Sequence, residues 1–410
     1  ITFSGNHPVV NDNRDQDRMD IAAWGTGDTA EVYIAYEDFS SGPNNPHIFF
    51  QRSVNAGKTF QAAQDLLVDP DGDDKQLYPA LDLHEGSTTN TLALAYLDNS
   101  PGSTSIEFYI MVQTSIDGGS LWSAPVQVTD DAHSGYPNNK MRDIDIAYDP
   151  DGNLFVVWTE SNRIMTAYST DHGLTWSAPQ QVKDHTSPEN PSYTQSYPTV
   201  AADGDYVIIA WETDVHFKKD VYLSRASTSS LSGALSFDSP HRVPKPIVYP
   251  MYRTYNPRMV AEEGVIHIVW WDFSTDANGN DNADPSIDRP CIKYTKSTNG
   301  GSTWGVGGKD NVIVNTSTPD GWHSKPDIEV GPEGFLAVSW IDTTMKNKNV
   351  FAAVSSDGGE TWSAQARANN YDPASEKFPP KIAIDSSKTV HVASISRDTP
   401  TSDLDITHSR

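Results

Sequence analysis

Six of the 13 arginines in this 410-residue chain are expected on one face of the fold, in loops that together also supply tyrosine, tryptophan and histidine. They are Arg14 and Arg18; Arg142, shortly after His133 and Tyr136; Arg253 and Arg258, among Tyr249, Tyr252 and Tyr255; and Arg397. Guanidinium groups bind carboxylates and sulfates through paired donors, while Tyr and Trp stack on sugar faces and donate hydrogen bonds. Tyr197, Trp322, His323 and Lys325 extend the set. The combination suits an anionic glycan, with Arg18, Arg142, Tyr197, Arg253, Tyr255, His323 and Arg397 as the expected contacts. The competing reading has these arginines pairing with nearby acids and the tyrosines filling gaps.

Acids recur as well. Seven apolar strand-like runs end in the aromatic or apolar residue of a repeat. Two positions further on stand Asp38, Asp98, Glu160, Thr213, Asp272, Asp342 and Arg397. Five acids in seven could form a ring that coordinates a cation or holds sugar hydroxyls, or they could cap turns. A carboxylate pair can run glycoside hydrolysis, and a Tyr or His beside an Arg can run β-elimination on a uronate. If the chain is an enzyme, Asp38, Glu212 and Tyr255 are the expected catalytic groups. Two loops space oxygen ligands as calcium sites do: Asp276, Asn278 and Asn280 in DANGNDNAD, and Asp69, Asp71 and Asp73 in DPDGDD. Neither has the full twelve-residue loop of an EF-hand. Calcium is thus the expected cofactor, if there is one.

With 29 Lys+Arg against 55 Asp+Glu, the net charge is 29 − 55 = −26, which argues against nucleic acid or an anionic membrane surface as the main partner. No apolar run approaches the roughly 20 residues of a membrane helix. The single cysteine, Cys291, excludes an intramolecular disulfide and reads as a small apolar residue. The chain opens at Ile1 without a basic, apolar leader, as a mature secreted product or an excised piece of a larger surface protein would.

The elements that must position these residues are written in a repeat. Ser-x-Asp-x-Gly-x-Thr-Trp recurs as Ser115 to Trp122, Ser169 to Trp176, Ser297 to Trp304 and Ser355 to Trp362, with weaker copies at Ser53 to Phe60 and up to Phe237. A β-branched or aromatic strand precedes each copy, and the Asp or Asn with its glycines supplies a tight turn. Before that comes a short strand, a turn and a strongly apolar strand, as in YPTVAADGDYVIIAW ending at Trp211. Four strands per repeat of about 60 residues are one blade of a β-propeller. The expected fold is therefore all-β, a single seven-bladed propeller spanning residues 1–410. Residues 378–410 supply only three strands of the last blade, and residues 1–10 resemble the missing fourth, so the N-terminus is expected to close the ring.

The repeated octapeptide is the Asp box, and the chain resembles the sialidase-like propellers built on bacterial neuraminidase repeats along essentially its whole length. The resemblance implies this architecture and a ligand on the face opposite the Asp boxes. Sialidases proper look six-bladed and carry a Phe/Tyr-Arg-Ile-Pro motif near the N-terminus. Here the nearest equivalent is Asp17-Arg18-Met19-Asp20, and Asp38 stands where the resemblance would put an acid. Because blade number and motif both depart, the expectation is an extracellular or surface-displayed module that binds acidic carbohydrate. A sialidase-like hydrolase or uronate lyase is the alternative, and a structural or protein-binding surface domain the second.

Overall fold

The computed structural model describes the chain except residues 1, 4–6, 11–15, 40–44, 67–74, 86–89, 100–107, 130–140, 183–192, 215–218, 244–253, 274–289, 316–321, 344–347, 370–378 and 397–404. It holds seven four-stranded antiparallel sheets. Their innermost strands are Gln16–Trp24, Gln76–His84, Met141–Tyr148, Gln195–Ala202, Thr254–Glu262, His323–Gly331 and Lys381–Ile384. In blade seven the sequence stretch His7–Pro8 pairs with the last strand, Asp405–Ser409, so the N-terminal strand closes the ring as expected. Among the described residues the only helical turns are the short segments Gly27–Thr29 and Pro332–Gly334, and no helix is long and apolar enough to cross a membrane.

Near-continuous apolar runs in the central strands make each blade apolar on both faces, so the core lies between blades and not at one centre. Seven apolar clusters result, one for each pair of neighbours around the ring. The second strands bury their aromatic ends completely, as at Trp158, Trp211, Trp270 and Trp340.

The Asp boxes join the third and fourth strands. In the second blade, Ser115 Oγ donates to Asp117 Oδ1 at 2.8 Å, and that oxygen also accepts from Leu121 N at 2.9 Å. The turn thus caps itself, as its composition requires. Its aromatic side chain reaches the preceding blade: Trp122 meets Phe50 edge-on at 5.0 Å, and Trp362 meets Tyr294 at 5.2 Å.

Candidate binding site at the propeller mouth

Innermost strands carry the site. In six blades the strand is interrupted by a bulge whose residue has positive φ: Arg18 (25°), Tyr78 (59°), Asp143 (54°), Tyr197 (51°), Asn256 (48°) and Lys325 (53°). Bulges disrupt the ladder and re-aim a side chain, here towards one end of the central channel. Proline follows four of them, at Pro79, Pro198, Pro257 and Pro326, where a residue lacking an N–H leaves no donor stranded. Three bulges are held by an acid of the preceding blade. Tyr78 N donates to Glu37 Oε1 at 2.7 Å, Tyr197 N to Asp143 Oδ2 at 3.3 Å, and Asn256 N to Glu212 Oε2 at 3.3 Å.

These residues surround a cavity of about 320 Å³ together with Arg142, Arg258 and Lys381. Arg18 lies over the Tyr78 ring at 4.1 Å and pairs with buried Glu37 at 3.0 Å. Arg142 pairs with Asp143 at 3.3 Å, and Lys219 with Glu212 at 2.7 Å. Burial pushes the carboxyls of Asp143 and Glu212 above their ordinary range, against the pull of Arg142 and Lys219 respectively. Burial also raises the phenols of Tyr78 and Tyr197. Perturbed groups of this kind cluster at functional sites.

Beneath the mouth, one residue per blade occupies a single register level: Asp20, Ala80, Asp145, Thr199, Arg258, Asp327 and Lys381. Most of them stitch one blade to the next. Asp20 accepts from Leu81 N at 2.9 Å, Asp145 from Val200 N at 3.0 Å, and Thr199 Oγ1 from Met259 N at 3.3 Å. Arg258 reaches Asp327 at 3.7 Å, Asp327 accepts from Ile382 N at 3.0 Å, and Lys381 closes the circle onto Asp20 at 3.1 Å. Burial lowers the Lys381 ammonium, but Asp20 and Asp327 outweigh it and the net displacement is upward. Two residues further along, Asp82 accepts from Tyr148 N at 2.6 Å and completes the remaining step between blades two and three. Asp82 and Glu329 line a second, lower cavity of about 300 Å³. Burial lifts the carboxyl of Asp82 to about 7 and that of Glu329 well above its usual range.

Of the residues expected from sequence, Arg18, Arg142 and Tyr197 converge on the mouth. Glu212 stands just behind it, holding Asn256 and Lys219. Tyr255 does not line the cavity; it packs on Trp271 at 5.1 Å and Phe273 at 5.8 Å. His323 is buried beside Asp342 at 3.3 Å, and Asp38 is buried and accepts from Gln16 Nε2 at 3.3 Å. The acids expected to form a ring each take a side-chain hydrogen bond within their own blade. Gln76 serves Asp98 at 3.1 Å, Trp158 serves Glu160 at 3.2 Å and Trp270 serves Asp272 at 3.0 Å. These acids end second strands, one strand away from the channel. Arg253, Arg397, Asp69, Asp71, Asp73, Asp276, Asn278 and Asn280 lie outside the described residues. Among the described residues no group of three or more His, Cys, Asp or Glu is arranged to hold a metal ion.

Sequence reasoning missed Asp143, Asn256 and Lys381, and noted Tyr78 on the ligand-side loops without placing it among the expected contacts. A signal was present: Xaa-Pro at the same place in four of the first strands, those of blades two, four, five and six, marks the bulge, because proline inside a strand demands one.

A BNR/Asp-box repeat profile matches residues 167–178. No curated protein sequence matches the chain. Among solved structures, a protein of unknown function from Dyadobacter fermentans is 12% identical with a TM-score of 0.50, over 99% of this chain and 97% of that one. The α-L-arabinanase of Penicillium chrysogenum, complexed with arabinobiose, is 15% identical with a TM-score of 0.51, over 87% and 98%. The endosialidase of phage phi92 is 9% identical with a TM-score of 0.50, over 100% and 69%. The likeness is one of fold, at low identity. The chain is a seven-bladed β-propeller, similar in fold to these solved structures, and one of its turns matches the BNR/Asp-box repeat.

Proposed function

We propose that the mouth cavity binds the carboxylate or sulfate of an acidic glycan, and that the protein is an extracellular or surface-displayed carbohydrate-binding propeller. The carrying observation is local charge. The cavity is lined by Arg18, Arg142, Arg258, Lys325 and Lys381 against Asp20 and Asp143, so 5 − 2 = +3. Counting Glu37, Asp145 and Asp327, which stand behind and face Arg18, Arg258 and Lys381, gives 5 − 5 = 0, so the excess of donors is confined to the residues that line the opening. In a chain of net charge −26 such a spot selects anions, and its low-dielectric walls focus the field. The ring of Tyr197, 41% exposed, offers a stacking surface at the rim. Carbohydrate-acting neighbours of the same fold are in keeping with this reading.

On an array of neutral, sialylated, uronate and sulfated glycans, binding is expected only to acidic members and to weaken with added salt. Arg142→Ala is expected to lower affinity about tenfold, the loss of one charge-assisted contact. Retention of no acidic glycan by the unaltered protein would sink the proposal.

A second reading, glycan cleavage, draws on Asp143, a cavity-lining carboxyl raised by burial and set between two tyrosine-bearing bulges. A carboxyl whose hold on its proton is raised by burial can act as a general acid. Release of sialic acid or of an unsaturated uronate, abolished in Asp143→Asn, would favour it over binding alone.

A further inference from the structure

Among the described residues six large hydrophobic side chains are exposed. Four are aliphatic and sit on Asp-box turns: Val54, Ile116, Leu121 and Leu174. The two aromatic ones, Tyr197 and Trp322, are at the mouth end. Trp322 is 53% exposed and immediately precedes the innermost strand of blade six. Its backbone is pinned on both sides to Thr343, whose Oγ1 accepts from Trp322 N at 3.1 Å and whose N donates to Trp322 O at 3.1 Å.

The indole does not stand alone. Phe273 meets it edge-on at 5.6 Å, Trp271 lies 5.0 Å from Phe273, and Tyr255 packs on both of these. The four rings come from the mouth-side ends of strands in blades five and six. Packing between blades accounts for half-buried Tyr255 and Trp271, but it does not account for an indole left half in solvent on a fixed backbone. An aromatic face held rigidly at low entropic cost is what a pyranose ring stacks on.

The row also has a direction. Tyr255 adjoins Asn256, and Trp322 lies three residues before Lys325; Asn256 and Lys325 both line the charged cavity. Three residues of strand span at most about 10 Å, the reach of two linked sugar rings. We infer that Trp322, backed by Phe273, is a second sugar subsite, and that the ligand is an acidic oligosaccharide whose charged residue fills the mouth while a neighbouring ring stacks on the indole. This rests on the reading of the mouth as an anion site, and it names the ligand class as two sugars or longer.

The test is calorimetric titration with two pairs: N-acetylneuraminic acid against sialyllactose, and glucuronic acid against a hyaluronan tetrasaccharide. The unaltered protein is expected to bind the longer member of at least one pair about tenfold more tightly, the equivalent of about 1.4 kcal/mol from one stacked ring. Trp322→Ala should abolish that advantage and leave the monosaccharide affinity unchanged, while Trp322→Phe keeps most of it. Unchanged monosaccharide binding also shows that the variant is folded. If longer sugars bind no tighter, or if Trp322→Ala keeps their advantage, the subsite is overturned and the mouth reading stands. Binding of none of the four overturns the subsite, and the mouth reading falls with it if the array retains no sulfated glycan either.

Discussion

At the fifth position of three of the four well-formed Asp boxes, Gly119, Gly173 and Gly359, the glycine faces the preceding blade with no room for a methyl group. A Cβ on Gly119 would stand 2.4 Å from the Phe50 ring, and one on Gly359 2.2 Å from Tyr294. Both also have positive φ, 80° and 88°, where an L side chain is strained. The motif therefore does two jobs: its Asp closes the turn, and its Gly lets the turn press against the next sheet. Gly119→Ala is expected to cost about 2 to 4 kcal/mol, by overpacking and backbone strain together, read as a lower urea midpoint at unchanged slope. Gly233→Ala serves as the control, since its Cβ would meet nothing within 4 Å and its φ is not positive. The Asp-turn half of this was legible in the octapeptide. The close approach of Phe50 was not, because the partner lies more than sixty residues away and belongs to another blade.

Innermost strands work as spokes that are both structural and functional. Their bulges aim side chains at the mouth, and their next level ties blade to blade. Asp82 shows the electrostatic cost of that arrangement. Its carboxyl is buried and carries a proton up to about pH 7 in the folded protein, whereas in the unfolded chain it ionises near 4. The folded state therefore binds more protons between these values, so this group's contribution falls as pH rises from about 4 to about 7. Asp82→Asn keeps an acceptor for Tyr148 N and removes the titration. The stability of the unaltered protein relative to this variant is expected to fall by about 3 kcal/mol between pH 5 and pH 8, measured by denaturant unfolding at each pH. A difference independent of pH would contradict the buried, protonated carboxyl. From sequence, these acids read as ordinary polar positions of a strand. Asp38 and its equivalents, which looked more regular, end second strands and accept side-chain hydrogen bonds in their own blades, since regular spacing along the chain specifies a register and not which edge of the sheet faces the channel.

For the molecule as a whole, closure is the decisive event. The strand His7–Pro8 pairs with His408 and Thr407, and Val9 N donates to Ile406 O at 3.0 Å. Val9 belongs to the apolar cluster that joins blade seven to blade one. Removing residues 1–10 is expected to expose the outer edge of the last strand and lower the melting temperature by several degrees, with concentration-dependent association, because an unpaired edge recruits other chains. Static light scattering beside a thermal melt checks both; a monomer with unchanged melting would show that closure is dispensable.

Blade number, strand order, Asp-box turns and the identity of the closing strand were all determined by the sequence itself. Each follows from local periodicity and from repetition of one unit, which any segment of about 60 residues displays. The binding mouth was determined only in part. Arg18, Arg142 and Tyr197 stood out by residue type, but their convergence with Asp143, Asn256, Lys325 and Lys381 was decided by the tertiary structure. Ring closure brings seven equivalent positions, separated by scores of residues, to one small opening, and burial there sets which charges pair and which carboxyls keep their protons.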